Sequence, residues 1–343
     1  NWDSAAKRSR LKWRQFSMDW HNVQEMPYHY LDYVTNDDML NEVIEYCIND
    51  VSSTKAIFKH VENKKKVMIE QIKLRSELST TYKINLYSAS EPKISKEVFL
   101  HFLEKKLNIP KKIIKEYRTF RDKVVIKDII LPEIKFDTYQ FKAVLNWFNN
   151  LVVDTKVIEG DDDKIKGPSY TMNYNNVTTV YALGGLHGCA TAGVYTPEIG
   201  QTIKSVDVES FYPRMAMLNE WAPAQIDKKQ FVEQYEWFFE QRKLHPKGTS
   251  LNYLFKIILN ATFGLSKSKY SFLYDPEFLF RITINGQLLL SMLYEQIMLG
   301  IPTAKAIMQN TDGCEFLIDD KDIPKFDEIC KKTKIPLRYL IAF

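Results

Sequence analysis

Asp207-Val208-Glu209-Ser210-Phe211-Tyr212-Pro213 is the stretch on which the reading of this chain turns. A strand-like approach, Ile203 to Val206, leads into it, and a helix-like run, Arg214 to Glu220, follows. A carboxylate closing a strand, then a small hydroxyl residue and an aromatic at fixed offsets, suits a site that holds a metal and a sugar-triphosphate. Two further segments come after it in order: Lys256-Ile257-Ile258-Leu259-Asn260-Ala261-Thr262-Phe263-Gly264, then Asn310-Thr311-Asp312-Gly313.

The second segment has the clearest geometry. After the breakers Pro246 and Gly248, Thr249 or Ser250 can cap a helix running through Leu251 to about Thr262. Lys256, Asn260 and Phe263 then fall at i, i+4 and i+7 on one face. Leu254, Ile257, Ile258 and Ala261 occupy another and would face a core. A basic residue, an amide and an aromatic on one stripe can meet phosphate, sugar or base, and a base-pair surface in turn. An ordinary amphipathic helix with a surface lysine has the same pattern. A preceding helix, Lys228 to Leu244, would pair with this one through a turn from His245 to Thr249. Arg242 near its end could clamp a triphosphate through paired hydrogen bonds, or simply complement the helix dipole.

The third segment reads as a β-hairpin. Thr303 to Gln309 and Cys314 to Ile318 would pair, with Asn310 to Gly313 at the turn. Asp-Gly is a common hairpin turn in its own right, so Asp312 gains weight only from the company it keeps. Joining a 3′-hydroxyl to the α-phosphorus of a nucleoside triphosphate needs charge neutralised at both the attacking and the leaving oxygen, which two Mg²⁺ ions can do. Mg²⁺ takes oxygen ligands, often one or two carboxylates plus the substrate phosphates. Asp207 and Asp312 are the candidate carboxylates, and Glu209, two residues from Asp207, would share its face if the strand runs on.

In this order the three segments resemble motifs A, B and C of the family B DNA polymerases, most closely those of bacterial viruses. The repair-type family A spacing of lysine and aromatic fits less well. The resemblance implies that Asp207 and Asp312 are catalytic and, with the Val208 backbone, hold the metal. Ser210, Phe211, Tyr212, Arg242, Lys256, Asn260 and Phe263 would bind the nucleotide. Tyr212 would pack under the sugar and exclude a 2′-hydroxyl. The cofactor implied is a pair of Mg²⁺ ions, for which Mn²⁺ could substitute. Primer-template DNA and deoxynucleoside triphosphates are the implied partners; no accessory protein or protein primer is named by the sequence. The chain departs from the family at five places. Asn310 stands where an aspartate is usual, Met308 where an aromatic is usual, Gly313 and Ala261 where serines are usual, and Phe263 where a tyrosine is usual. Asn310 offers an amide oxygen without charge, which would lower metal affinity.

Upstream, Tyr181-Ala182-Leu183-Gly184-Gly185-Leu186-His187-Gly188 resembles the Gly-Gly segment joining the nuclease and polymerase parts of the family. It implies DNA contacts at Tyr181, Gly184 and Gly185, with Gly264 beside them, since glycines let a backbone approach a ligand closely. A Gly-rich turn without a ligand would look the same. His187 has no second metal-type residue near it in sequence and is not read as a ligand. Tyr46-Cys47-Ile48-Asn49-Asp50 resembles the third motif of 3′–5′ proofreading exonucleases, with Tyr46 and Asp50 at i, i+4.

The remaining sequence sets bounds. With 343 residues, the chain can build two domains with their own cores. The net charge of +4, from 47 basic and 43 acidic residues, neither requires nor excludes a nucleic-acid partner. Cys47, Cys189, Cys314 and Cys330 show no metal-ligand spacing, which suggests a reducing cytoplasm, that of a bacterial host for a phage protein. No apolar run is long enough to span a membrane, so no membrane partner is expected. Starting at Asn1 rather than Met, the chain reads as an internal fragment lacking the thumb and the N-terminal exonuclease motifs.

A helix in residues 35–50 would be capped by Thr35 or Asn36 and carry Met39, Val43, Tyr46, Cys47 and Asp50 on one side. Lys64-Lys65-Lys66 reads as a solvated face. Ser95 to Leu107 reads as a helix capped by Ser95, and Thr138 to Val153 as another. Val124 to Ile134 is β-rich and broken by Pro132. Glu159-Gly160-Asp161-Asp162-Asp163 reads as an exposed acidic turn. A long helix from Pro276 to Leu299 has Asp275 as its cap and Gly300 just past its end.

The expected fold is α+β: the tail of an RNase H-like exonuclease domain (1–75), a connecting region (76–180), a palm with an antiparallel sheet (181–227 and 265–343) and a helical fingers hairpin (228–264). The function implied is template-directed DNA synthesis in phage genome replication, with proofreading in the complete protein. A catalytically weakened nucleic-acid-binding relative, or a nuclease alone, are the alternatives.

Overall fold

The computed structural model describes residues 10–59, 66–158, 167–332 and 341–342. The runs Lys64-Lys65 and Glu159 to Asp163 lie outside the described residues, as does the side chain of Lys66. Two compact units divide between Ser90 and Glu91. No helix among the described residues is long and apolar enough to cross a membrane.

In the first unit the described elements are helices: α1 (Leu11–Ser17), α2 (Asp37–Lys59) and α3 (Lys66–Tyr82). Asn36 caps α2, its side-chain oxygen accepting the Met39 amide at 2.8 Å. Asp37 and Asp38 in the first turn favour the positive end of the helix dipole. Gln15 of α1, fully buried, donates to Asp50 and Ser53 of α2 and fixes how the two helices meet.

The second unit is α+β. It opens with α4 (Glu91–Leu107) and α5 (Lys111–Ile114), then β1 (Lys123–Val125), α6 (Tyr139–Asn149) and β2 (Val152–Asp154). Next come β3 (Tyr170–Tyr174), β4 (Val177–Tyr181), β5 (His187–Cys189), β6 (Gln201–Val208) and α7 (Phe211–Leu218). The helices α8 (Lys228–Leu244), α9 (Ser250–Leu265) and α10 (Pro276–Gly300) follow. The chain closes with β7 (Lys305–Asn310), β8 (Gly313–Asp319), α11 (Ile323–Lys332) and β9 (Ile341–Ala342). Strands β1 and β2 pair with each other. The other seven form one antiparallel sheet in the order β3-β4-β5-β7-β8-β6-β9.

Several expected boundaries move. Ser95 does not cap α4, which begins at Glu91; its hydroxyl donates back to the Glu91 carbonyl from inside the helix. The helix expected to reach Val153 stops at Asn149, and Val152 and Val153 pair with β1 instead. Tertiary pairing overrides helical periodicity there, as β-branched residues permit. Helix α7 starts at Phe211, so Tyr212 and Pro213 lie in its first turn, where a missing N–H costs nothing. Gly300 is the last residue of α10, not the first beyond it. The segment expected to connect, 76–180, is shared between the units, and β3 and β4 belong to the large sheet.

Burial explains the layers. On β4, Val177, Thr179 and Tyr181 point inward while Thr178 and Val180 point out. Helix α10 lies in the core with nearly every residue buried. Its Tyr294 ring stands 5.5 Å from Phe316 of β8. Its buried polar side chains are spent on backbone groups of the segments around it. Thr283 donates to the Leu183 carbonyl, Gln287 to the carbonyls of Ala182 and Gly184, and Ser291 meets the Tyr181 hydroxyl. Glu295 accepts the amides of Asp137 and Thr138 at the start of α6, and Asn285 bonds Ile129 and Leu131. Buried polar groups placed this way fix register as well as adding stability.

The helical hairpin of α8 and α9 is seated on α4 through a cluster of rings. Phe99 lies 5.3 Å from Phe238, 5.6 Å from Phe231 and 6.2 Å from Phe272, all fully buried or nearly so. Truncating Phe99 to Ala would cost about 3–5 kcal/mol by lost burial and a residual cavity. Asp227 caps α8 and Thr249 caps α9. The turn between them is closed by Asn252, whose amide donates to the carbonyls of Arg242 and His245 at 2.8 and 2.9 Å.

Candidate active site

Strand β6 ends with Val206 and Val208 buried and Asp207 between them on the open side. Two residues on, Ser210 sits at φ 51°, ψ 43°, a left-handed conformation that turns the chain sharply into α7. Such a backbone costs a non-glycine residue about 1–2 kcal/mol. It leaves the Ser210 hydroxyl free to accept from the Arg242 guanidinium of α8 at 3.1 Å.

The second carboxylate arrives on the β7–β8 hairpin. Thr311 and Asp312 form its turn, one residue narrower at each side than the sequence suggested. The Val208 amide donates to the Asp312 carbonyl at 2.8 Å, which ties the turn to the end of β6. Gly313 pairs with Asp207 across β8 and β6. Its φ is not left-handed, so the turn does not demand glycine. Close approach does: a Cβ there would stand 2.9 Å from the Val206 carbonyl oxygen and 3.0 Å from the Asp207 carboxylate. Partial burial, and then the charge of Asp312, push the Asp207 carboxyl above its ordinary range.

Helix α7 carries Tyr212 under the same opening. Its ring meets Phe263 of α9 edge to face at 4.6 Å. From below it rests on Gly286 of α10, where a Cβ would stand 3.0 Å from the ring. Burial, with the Asp312 charge adding to it, holds the Tyr212 hydroxyl protonated well above its usual range. On α9, Lys256 and Asn260 are exposed, Phe263 is half-buried, and Leu254, Ile257 and Ile258 are buried.

These elements enclose a cavity of about 590 Å³. Asp207, Val208, Ser210, Phe211, Tyr212, Arg242, Lys256, Asn260, Phe263 and Asp312 all line it, from three stretches far apart in the chain. Glu209, Lys247 and Thr311 line it as well. Lys247 was missed by sequence reasoning; it is a lone lysine in the α8–α9 turn, and no motif marks it. Glu209 is exposed and faces Arg214, whose guanidinium donates to it at 3.4 Å. Among the described residues, no group of three His, Cys, Asp or Glu side chains could hold a metal ion. Asp207 and Asp312, with Arg242, Lys247 and Lys256 in the same lining, still fit Mg²⁺, which completes its shell from water and other oxygen ligands. Burial and, after it, the charge of Asp312 raise the Asp207 pKa, and a bound cation would relieve the second of these.

Other expectations fare differently. Tyr181 cannot touch DNA: its side chain is fully buried, bonds Ser291 at 2.9 Å and packs against Phe148. Gly264 lies in the last turn of α9 and does not line the cavity. Gly184 is held by Gln287, and the space beside it is open. Gly185 makes a close approach to protein, since a Cβ would stand 3.0 Å from the Thr311 hydroxyl. Asn310 does not line the cavity either; its side-chain oxygen faces His187.

In the first unit, Tyr46 and Asp50 do share a face of α2. Partial burial and then the hydrogen bond to Asp50 raise the Tyr46 hydroxyl above its ordinary value. Asp50 also accepts from Gln15 at 3.1 Å. Among the described residues, no group of three His, Cys, Asp or Glu side chains that could hold a metal ion forms around them.

No family model matches the chain. No curated protein matches it either. Among solved structures 47 chains match. One is a family B DNA polymerase from the hyperthermophilic archaeon Pyrobaculum calidifontis, with 13% identity and a TM-score of 0.40. That match covers 98% of this chain and 39% of the polymerase, so the chain spans about two fifths of that protein's length.

Proposed function

We propose that the second unit adds deoxynucleotides to a primer 3′-hydroxyl under the direction of a template strand. The observation that carries this is the convergence of Asp207, Asp312, Tyr212, Arg242, Lys256 and Asn260 on one cavity. In this reading Asp207, Asp312 and the Val208 carbonyl hold two Mg²⁺ ions. When bound, the ions supply charge stabilisation for the attacking and leaving oxygens. Arg242, Lys256 and Lys247 line the same cavity, where they bind and orient the triphosphate. Asn260 shapes the nucleotide pocket. Tyr212, wedged between Phe263 and Gly286, forms a rigid floor under the sugar. Phe263 lies beside the new base pair. The first unit, through Tyr46 and Asp50, is then the end of a proofreading exonuclease, and a phage-type replicative enzyme is the whole.

The test is primer extension by the full-length protein with Asp207→Ala and Asp312→Ala. Each variant should lose at least about a thousandfold in rate, the several kcal/mol a metal ligand supplies, while circular dichroism and melting stay near wild type. Normal extension by either variant would remove the reading. A protein that binds primed DNA but extends nothing would instead be the catalytically silent binder.

A further inference from the structure

We propose that His187 is a positioning residue for the turn that carries Asp312, acting through Asn310. This rests on Asp312 being a working carboxylate of the cavity, as in the reading above. His187 opens β5 and pairs with Asn310, the last residue of β7, so the two side chains share a face of the sheet. The His187 Nδ1 lies 3.0 Å from the Asn310 Oδ1. That same oxygen accepts the Thr311 amide at 3.1 Å and lies 3.4 Å from the Thr311 hydroxyl. An atom that accepts a backbone N–H must be the carboxamide oxygen, so Nδ1 must carry the hydrogen and donate. His187 is thereby fixed as the Nδ1–H tautomer while neutral.

The consequence is a turn held from both sides. On one side the Val208 amide holds the Asp312 carbonyl at 2.8 Å. On the other, His187 holds Asn310, and Asn310 holds the Thr311 amide. Gly185 allows the arrangement, because a Cβ there would crowd the Thr311 hydroxyl at 3.0 Å and approach the His187 Nε2 at 3.6 Å. The bonds from Val208 at the end of β6 and from His187 on β5 restrain the backbone of the turn on which Asp312 sits. Asn310 then serves as an acceptor for two donors on neighbouring elements, a task for which an uncharged amide suffices.

Histidine variants separate this role from simple packing. Asparagine can place its amide N–H near the Nδ1 position, whereas glutamine places it nearer Nε2. Full-length His187→Ala and His187→Gln should lower kcat about tenfold, with KM for the deoxynucleotide changed less than about twofold. Thr311 amide exchange in the same proteins should accelerate about tenfold. His187→Asn should restore both readouts to near wild type. Melting curves show whether each variant is folded. Equal rescue by Gln and Asn, or a Thr311 amide that stays protected in a folded His187→Ala, would overturn the proposal. If the wild-type protein extends no primer, the polymerase reading falls, and Thr311 exchange still decides the role of His187.

Discussion

The Val208 amide and the Asp312 carbonyl are joined by a 2.8 Å hydrogen bond, which ties the end of β6, carrying Asp207, to the β7–β8 turn, carrying Asp312, beside the cavity that both line. Both residues belong to short stretches with ordinary local structure, a strand end and a hairpin turn. Neither stretch alone would make a site. The bond joins them across chain segments about a hundred residues apart, and like charge is gathered at one cavity.

Gly313→Ala tests how tight that junction is. The added methyl would meet the Val206 carbonyl at 2.9 Å and the Asp207 carboxylate at 3.0 Å, both on a strand that cannot give way freely. The expected cost is about 1–3 kcal/mol, read as a lowered Tm. Primer extension should fall further than the stability loss accounts for. A variant as stable and active as wild type would show that the strands are more widely spaced.

Asp207→Asn should stabilise the metal-free protein at neutral pH. The folded Asp207 carboxyl titrates above its ordinary value of 3.8, through burial and the charge of Asp312. The ionised form is thus disfavoured by folding; the penalty is present above the folded value and gone below the unfolded one. The gain should be about 0.5 kcal/mol near pH 7, kept small by water screening of an exposed group, and should vanish near pH 3. Denaturant melts with a chelator present measure it. A gain that persisted at low pH would have another cause.

Tyr212→Ala should admit ribonucleotides. The ring is braced by Phe263 at 4.6 Å and by the absence of a side chain at Gly286, so it has little freedom to move aside. Competing ribo- and deoxyribonucleotide on a primed template, the ratio of kcat/KM should rise at least about tenfold. An unmoved ratio would leave Tyr212 as a packing residue.

Asn252→Ala should loosen the α8–α9 turn without touching the cavity. It removes two hydrogen bonds, to the carbonyls of Arg242 and His245, and should cost about 1–3 kcal/mol. Arg242 and Lys247 flank this clasp, so KM for the deoxynucleotide should rise more than kcat falls. A fall in kcat alone would mean that the turn acts on chemistry and not on binding.

Which candidate residues share a face was legible in the sequence, because side-chain direction follows local periodicity. Lys256, Asn260 and Phe263 share a face as any helix of that spacing requires, and Thr249 and Asp275 cap where short polar residues precede apolar runs. The β7–β8 hairpin followed from alternation and an Asp-Gly pair. Helix boundaries were less secure wherever a neighbour competed, as at Val152 and Val153, which left a helix to pair with β1.

Taken by itself, the sequence determined which residues could do chemistry and which face of each element they share, since side-chain direction follows from backbone period. Only the tertiary structure decided which of them meet. It sent Tyr181 inward to Ser291, set Asn310 against His187 outside the cavity, and showed that Gly185 and Gly313 serve close approach between protein segments. It also brought Lys247 to the cavity lining. Those outcomes depend on packing between segments distant in the chain, where a few tenths of an ångström at one atom decides the arrangement, and no local pattern of residues records that distance.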